Sequence, residues 1–119
     1  MGKLRVATYC RISTNHEEQE SSLETQISYY GKLIAGHEDW ELVKIYAECA
    51  SGTQLKKRPE FMQMINACKQ GKIDLILTKS ISRFGRNMLD TLRTLYELFN
   101  LGVKVYFEKE NLNNFDKEM

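Results

Sequence analysis

The chain has 119 residues, with seventeen basic and sixteen acidic side chains for a net charge of +1, and 42% of its residues are apolar. That length suits one compact domain with a core of its own and leaves no room for two. No apolar run approaches a membrane span, the start Met1-Gly2-Lys3-Leu4-Arg5 lacks a signal-peptide apolar region, and Cys10, Cys49 and Cys68 have neither CxxC nor Cys/His ligand spacing. A membrane protein, a disulfide framework and a zinc site are therefore unsupported, and the expectation is a soluble, cytoplasmic protein with reduced, structural thiols.

Lys3 to Cys10 reads as a buried strand through Leu4, Val6, Ala7 and Tyr9. If the backbone stays extended, Tyr9, Arg11 and Ser13 project to one side and Cys10 to the other. Asn15 to Glu20 reads as a polar loop. Ser21 with Glu24 has the form of a capping box, and Leu23, Ile27, Tyr30 and Ile34 recur at helical spacing until Gly36. Trp40 to Tyr46 supplies a second strand. A turn-rich stretch, Cys49-Ala50-Ser51-Gly52-Thr53, leads to Lys56-Lys57-Arg58 and to Pro59, which suits the first position of a second helix ending at Gly71. The apolar face of that helix is Phe61, Met64, Ile65 and Cys68, with a second row at Met62 and Ala67.

Ile73 to Thr78 is almost uniformly apolar, as a central strand of a parallel sheet would be. Lys79 to Asn87 is polar. Met88 to Leu101 reads as a third long helix with Leu89, Leu92, Leu95, Tyr96 and Phe99 inward, stopped by Gly102. Val103, Val105 and Phe107 alternate as a fourth strand. Glu108 to Met119 is acidic and Asn-rich and reads as a partly disordered end.

This β-α-β-α-β-α-β pattern predicts an α/β fold of three layers, a four-stranded parallel sheet of order 2-1-3-4 with helices on both faces. In such sheets the functional crevice lies beyond the carboxyl ends of the strands, where the order reverses. Arg11, Lys56, Lys57, Arg58, Lys79, Arg83 and Arg86, seven of the seventeen basic residues, fall in the segments that follow strands. A single helical turn would aim Arg83 and Arg86 at one point, where Arg58 could join them.

Guanidinium groups stay charged and bind phosphate oxygens in pairs, so three or four arginines around one hydroxyl describe a phosphoryl site. The competing explanation is that these arginines form surface ion pairs with the sixteen acidic residues. There is no P-loop and no GxGxxG, and no carboxylate trio of the kind a two-metal nuclease uses, so neither a nucleotide cofactor nor a metal is expected. His16 and His37 read as solvated surface residues.

The successive motifs Tyr9-Cys10-Arg11-Ile12-Ser13-Thr14, Gln26, Ser51-Gly52 with Arg58-Pro59-Glu60-Phe61, and Lys79-Ser80-Ile81-Ser82-Arg83-Phe84-Gly85-Arg86-Asn87 resemble, in order, those of the serine site-specific recombinase catalytic domain. The third-strand loop and Phe107-Glu108-Lys109-Glu110-Asn111 look most like the large serine recombinases of mobile elements. The resemblance implies a resolvase-like, flavodoxin-like fold and attack of Ser13 on a DNA phosphodiester, giving a 5′-phosphoserine link without ATP, metal or other cofactor. It assigns Arg11, Arg58, Arg83 and Arg86 to the phosphate and Tyr9 and Gln26 to supporting roles. Ser82 stands where smaller resolvases commonly have an aspartate, and Asp74 matches an acidic position at the start of the third strand.

The resemblance also implies double-stranded DNA with specific attachment sites as partner, and dimers and tetramers in a full-length protein. A catalytic domain over residues 1–110 and a tail over 111–119, cut short before an oligomerising helix and DNA-binding domains, is the matching domain expectation. Two other functions remain open from the residues alone: a non-catalytic association module, and a small phosphate-binding α/β enzyme.

Overall fold

A computed structural model describes residues 2–12, 17–49, 58–85 and 87–115, without the side chains of residues 17–22. The elements follow the expected alternation: β1 (Leu4–Ile12), α1 (Glu17–Ala35), β2 (Trp40–Cys49), α2 (Pro59–Lys69), β3 (Leu75–Thr78), α3 (Ile81–Phe84), α4 (Met88–Asn100), β4 (Lys104–Phe107) and β5 (Leu112–Asn113). The sheet order is β2-β1-β3-β4-β5, parallel throughout except where β5 runs antiparallel to β4. The order 2-1-3-4 is thus correct for the parallel part. The count of four strands misses β5, which is two residues long and has no alternation to read.

Alternation along β1 sends Val6 and Cys10 to one face, beneath Tyr30 and Ile34 of α1. Ala7 and Tyr9 go to the other face, where Ile76, Val105 and Phe107 meet Phe61, Met64 and Cys68 of α2, Phe84 of α3, and Leu95 and Leu98 of α4. On this second face Tyr9, Phe61, Phe84 and Phe107 form a chain of edge-to-face rings with centroids 5.1, 5.1 and 5.6 Å apart. Each such pair contributes about 1 kcal/mol beyond its buried area. The chain lies under the carboxyl end of the sheet and stiffens the floor on which α3 sits.

Helices α2 and α4 end as the glycines imply, with Gly71 at φ 73 and Gly102 at φ 77 accepting the left-handed backbone that closes each helix. Three helix expectations change. First, α1 begins at Glu17, so Ser21 and Glu24 lie inside it and do not cap it; the run Glu17-Glu18-Gln19-Glu20 is made of good helix formers, which lets the helix start one turn earlier. Second, the polar stretch after β3 contains the single turn α3.

Third, α4 buries Thr91, Leu95 and Leu98, while Leu89 and Tyr96 are each 68% exposed and Leu92 and Phe99 are exposed as well. The sequence of α4 carries two apolar stripes, and periodicity does not say which one faces the sheet. The buried stripe contains a threonine whose hydroxyl is satisfied locally by the Asn87 carbonyl at 2.7 Å. Met62 of α2 is exposed for the same reason. None of the described helices is long and apolar enough to cross a membrane.

Candidate active site

Helix α3 is one turn, closed by Phe84 N–H on the Ser80 carbonyl at 3.2 Å and Gly85 N–H on the Ile81 carbonyl at 3.1 Å. A lone turn has little stability of its own, because nucleation fixes several dihedrals for one or two hydrogen bonds. Its ends are held from outside. Ser80 caps the start, its hydroxyl accepting from Arg83 N–H at 3.4 Å. At the other end Arg11 donates from Nη2 to the Ser82 carbonyl at 2.8 Å and from Nε to the Arg83 carbonyl at 2.9 Å. Arg58 donates from Nη1 to the Phe84 carbonyl at 2.5 Å, and Arg83 returns the contact by donating from Nη1 to the carbonyl of Arg11. Cations at the carboxyl end of a helical turn suit both its unpaired carbonyls and its dipole.

Three strands deliver these arginines. Arg11 lies at the end of β1, Arg58 precedes α2 after β2, and Arg83 sits in the turn after β3. Arg58 is only 5% exposed. Its guanidinium lies 3.8 Å from the ring centroid of Phe61 and 5.9 Å from that of Tyr9, and its Nη2 is 3.9 Å from Asp90 Oδ2. Burial lowers the pKa of Arg11, and the neighbouring charges of Arg58 and Arg83 lower it further, against opposing effects of Tyr9 and Glu48. The cluster is thus a local concentration of positive charge, and these hydrogen bonds of Arg11, Arg58 and Arg83 run to backbone carbonyls. That is unlike a set of surface ion pairs.

Below the arginines Tyr9 is buried, and its hydroxyl donates to Glu48 Oε2 at 2.5 Å. Burial raises the Tyr9 pKa and the Glu48 carboxylate raises it further. The second oxygen of Glu48 accepts from the Glu60 N–H at 3.0 Å, at the first turn of α2. Glu48 was not among the residues the sequence pointed to. Its place shows only in the register: β2 continues past Tyr46 to Cys49, pairs Arg11 with Glu48, and by alternation puts Glu48 on the same face as Tyr46.

Of the other residues singled out, Ser13, Ser51, Gly52 and Arg86 lie outside the described residues. The Ser82 hydroxyl is 3.1 Å from that of Ser80. Gln26 is 8% exposed, and its Nε2 has no hydrogen-bond partner among the described residues. It lines a cleft of about 260 Å³ with Thr25, Tyr29, Tyr30, Lys79 and Glu108, on the α1 side of the sheet.

Asp74 is far from this group in the topology. It precedes β3 and pairs with Arg5, accepting from Nε and Nη2 at 3.0 Å each and from the Arg5 N–H at 2.9 Å. These contacts hold its carboxyl below the usual range and tie the amino ends of β1 and β3. Cys10 faces α1, away from Arg11, and burial pushes its thiol up to about 11. Among the described residues no group of three or more His, Cys, Asp or Glu is arranged to hold a metal ion.

Residues 6–119 match the family described as Resolvase, N terminal domain. The chain is 29% identical over 105 residues to the Transposon Tn501 resolvase of Pseudomonas aeruginosa, a match covering 87% of this chain and 47% of that protein. It therefore spans about half the length of the resolvases it matches. A resolvase family site-specific recombinase from Streptococcus pneumoniae superposes with a TM-score of 0.80 at 29% identity, over 98% of this chain and 80% of that one. The N-terminal catalytic domain of TP901-1 integrase superposes with a TM-score of 0.71 over 96% of this chain and 84% of that one. At 22% identity, that second likeness is one of fold.

Proposed function

The chain belongs to the Resolvase N-terminal domain family, and from that premise we propose that it is the catalytic part of a site-specific DNA recombinase using Ser13 as nucleophile. The Ser13 oxygen attacks the phosphorus of a scissile phosphodiester and gives up its proton, while the 3′ oxygen leaves and takes one up. The products are a 5′-phosphoserine link and a free 3′-hydroxyl. Attack of a 3′-hydroxyl on the phosphoserine reverses the step and rejoins the strand, so the energy of the ester is kept and no ATP is consumed.

Negative charge grows on the non-bridging phosphate oxygens during each transfer. Preorganised donors aimed at such charge are worth about 3 kcal/mol each. The observation that carries the reading is the convergence of Arg11, Arg58 and Arg83 on one turn, held by carbonyls, with Arg11 buried enough for its pKa to be lowered. Arg86 joins them in this reading. Tyr9 supports the site from below through Glu48, and Gln26 offers a buried amide donor. Ser82 presents its carbonyl to Arg11, and Asp74 ties β1 to β3 through Arg5.

Double-stranded DNA with a specific attachment site is the substrate, and the reaction takes place in the cytoplasm, on two duplexes held by a dimer or tetramer. The exposed stripe Leu89, Leu92, Tyr96 and Phe99 on α4 supports self-association. The same stripe favours a second reading, an association module without catalysis. The two part on one experiment. Incubated with DNA carrying its attachment site, the full-length protein should cleave it, and Ser13→Ala should leave it intact. Equal cleavage by both proteins would rule out the serine mechanism, and cleavage by neither would favour the association module.

A further inference from the structure

The stretch Phe107-Glu108-Lys109-Glu110-Asn111 has no part in the chemistry above, yet it touches both helices that carry site residues. Pairing between β3 and β4 continues past the strand ends, with Glu108 N–H on the Thr78 carbonyl at 3.0 Å and Lys109 N–H on the Lys79 carbonyl at 2.7 Å. This lays the segment along the loop that leads into α3. Glu110 Oε1 then accepts from the N–H of Ile81, the first residue of α3, at 3.2 Å. Two residues earlier, Glu108 reaches the other way and accepts from the hydroxyls of Tyr29 at 2.6 Å and Tyr30 at 3.3 Å on α1, one turn from Gln26.

The far end of the segment is pinned as well. Asn111 takes the left-handed conformation at φ 54, which asparagine tolerates, and its Oδ1 accepts from the Tyr106 hydroxyl at 2.5 Å. Asn114 receives the Val105 N–H at 2.8 Å and donates from Nδ2 to the Val103 carbonyl at 3.1 Å and the Leu95 carbonyl at 3.3 Å. Within the stretch that read as partly disordered, residues 108–115 instead make turn and side-chain contacts that fix this strap to the sheet edge, while residues 116–119 lie outside the described residues.

We propose that the segment from Glu108 to Glu110 is a positioning element of the site, in which Glu110 sets the turn that presents Arg83 and Glu108 sets the helix that presents Gln26. A single-turn helix takes its geometry from its caps. Ser80 and Glu110 occupy one end of α3 while Arg11 and Arg58 occupy the other, so loosening the first end changes where Arg83 points. Neither glutamate touches the substrate in this account. The inference rests on the reading of Arg11, Arg58 and Arg83 as a phosphate site.

The test uses inorganic phosphate as probe, with binding followed by NMR through the Nε–H resonances of Arg11, Arg58 and Arg83 and the amide of Ile81. In the parent chain phosphate should shift the arginine signals. Removing a carboxylate near a phosphate strengthens binding by electrostatics alone, so a loss of affinity must come through geometry. Glu110→Ala should weaken phosphate binding roughly fivefold, the effect of losing one helix cap. Glu110→Gln, whose amide oxygen still accepts from Ile81, should restore the affinity.

Glu108→Ala, or Tyr29→Phe should that variant unfold, should shift the side-chain amide resonances of Gln26. Unchanged or tighter phosphate binding in Glu110→Ala, or an unmoved Gln26 signal, would overturn the strap and leave the site reading standing. No arginine shift in the parent chain would overturn the site reading itself, and the strap with it.

Discussion

Arg11 and Arg83 hold each other through the backbone: the Arg11 guanidinium donates to the Arg83 carbonyl at 2.9 Å, and the Arg83 guanidinium donates to the Arg11 carbonyl. The carboxyl end of β1 and the turn after β3 are thereby locked together by the same side chains that are read as binding phosphate. Lysine keeps the charge at position 11 and loses the planar fork that spans the Ser82 and Arg83 carbonyls. Arg11→Lys should therefore lower DNA cleavage on the order of 100-fold, the size of losing one preorganised donor, with a folded circular-dichroism spectrum. Cleavage within a factor of two of the parent would show that charge alone suffices.

The Tyr9 hydroxyl is buried against Glu48 at 2.5 Å, and Glu48 also caps the start of α2. Tyr9→Phe leaves a buried carboxylate short of one donor. The expected cost is about 1–3 kcal/mol in urea unfolding. Glu48→Gln keeps one oxygen to accept from the Glu60 N–H and turns its NH2 toward the Tyr9 hydroxyl, which can accept from it, so it should cost less than Tyr9→Phe. The opposite ranking would place the stability in Glu48's charge.

Gly85 closes α3 at φ −105, a conformation any residue adopts, so its requirement is one of space. A Cβ built there would stand 1.5 Å from Thr91 Oγ1 and 2.8 Å from its Cβ. Gly85→Ala should push α3 away from α4 and destabilise the chain by about 1–3 kcal/mol. Adding Thr91→Ala should recover part of that loss, because the nearest colliding atom is gone. A double-mutant cycle with no coupling would argue that α3 and α4 separate without strain.

Burial pushes the Cys10 thiol up to about 11 and the Cys68 thiol up to about 12 from an ordinary value of 9.0. The unfolded chain gives up these protons from about pH 9 while the folded chain keeps them, so the stability they contribute is whole below pH 9 and falls as pH rises toward 11. The slope is about 1.4 kcal/mol per pH unit for each thiol. Tyr9 and Tyr30, whose pKa values burial also raises, add to the decline above their ordinary value of 10.0. Urea unfolding at successive pH values should show this slope, and Cys10→Ala should reduce it. At pH 8 iodoacetamide should label the exposed Cys49 and spare Cys10 and Cys68 in the folded chain.

The parallel sheet, its order and the ends of α2 and α4 were legible because hydrophobic period, crossover length and Gly71 and Gly102 all point the same way. Alternation along β1 also placed Tyr9 and Arg11 on one face and Cys10 on the other. Three features were hidden for physical reasons. The buried stripe of α4 depends on which side meets Phe107 and Val105, and a helix with two apolar stripes does not encode that locally. α3 is a single turn whose conformation comes from Arg11, Arg58, Ser80 and Glu110, distant in sequence but for one. Glu48 was missed because a charged residue at a strand end reads as the start of a loop, and only register shows it opposite Arg11.

The central claim, that Ser13 carries the DNA through an intermediate, is tested most directly by mapping the covalent adduct formed on attachment-site DNA with a nick that traps the cut strand. Peptide mass spectrometry should find the 5′ phosphate of the DNA on Ser13, with a free 3′-hydroxyl on the other fragment. An adduct on another residue, or cleaved DNA with no protein attached, would contradict it.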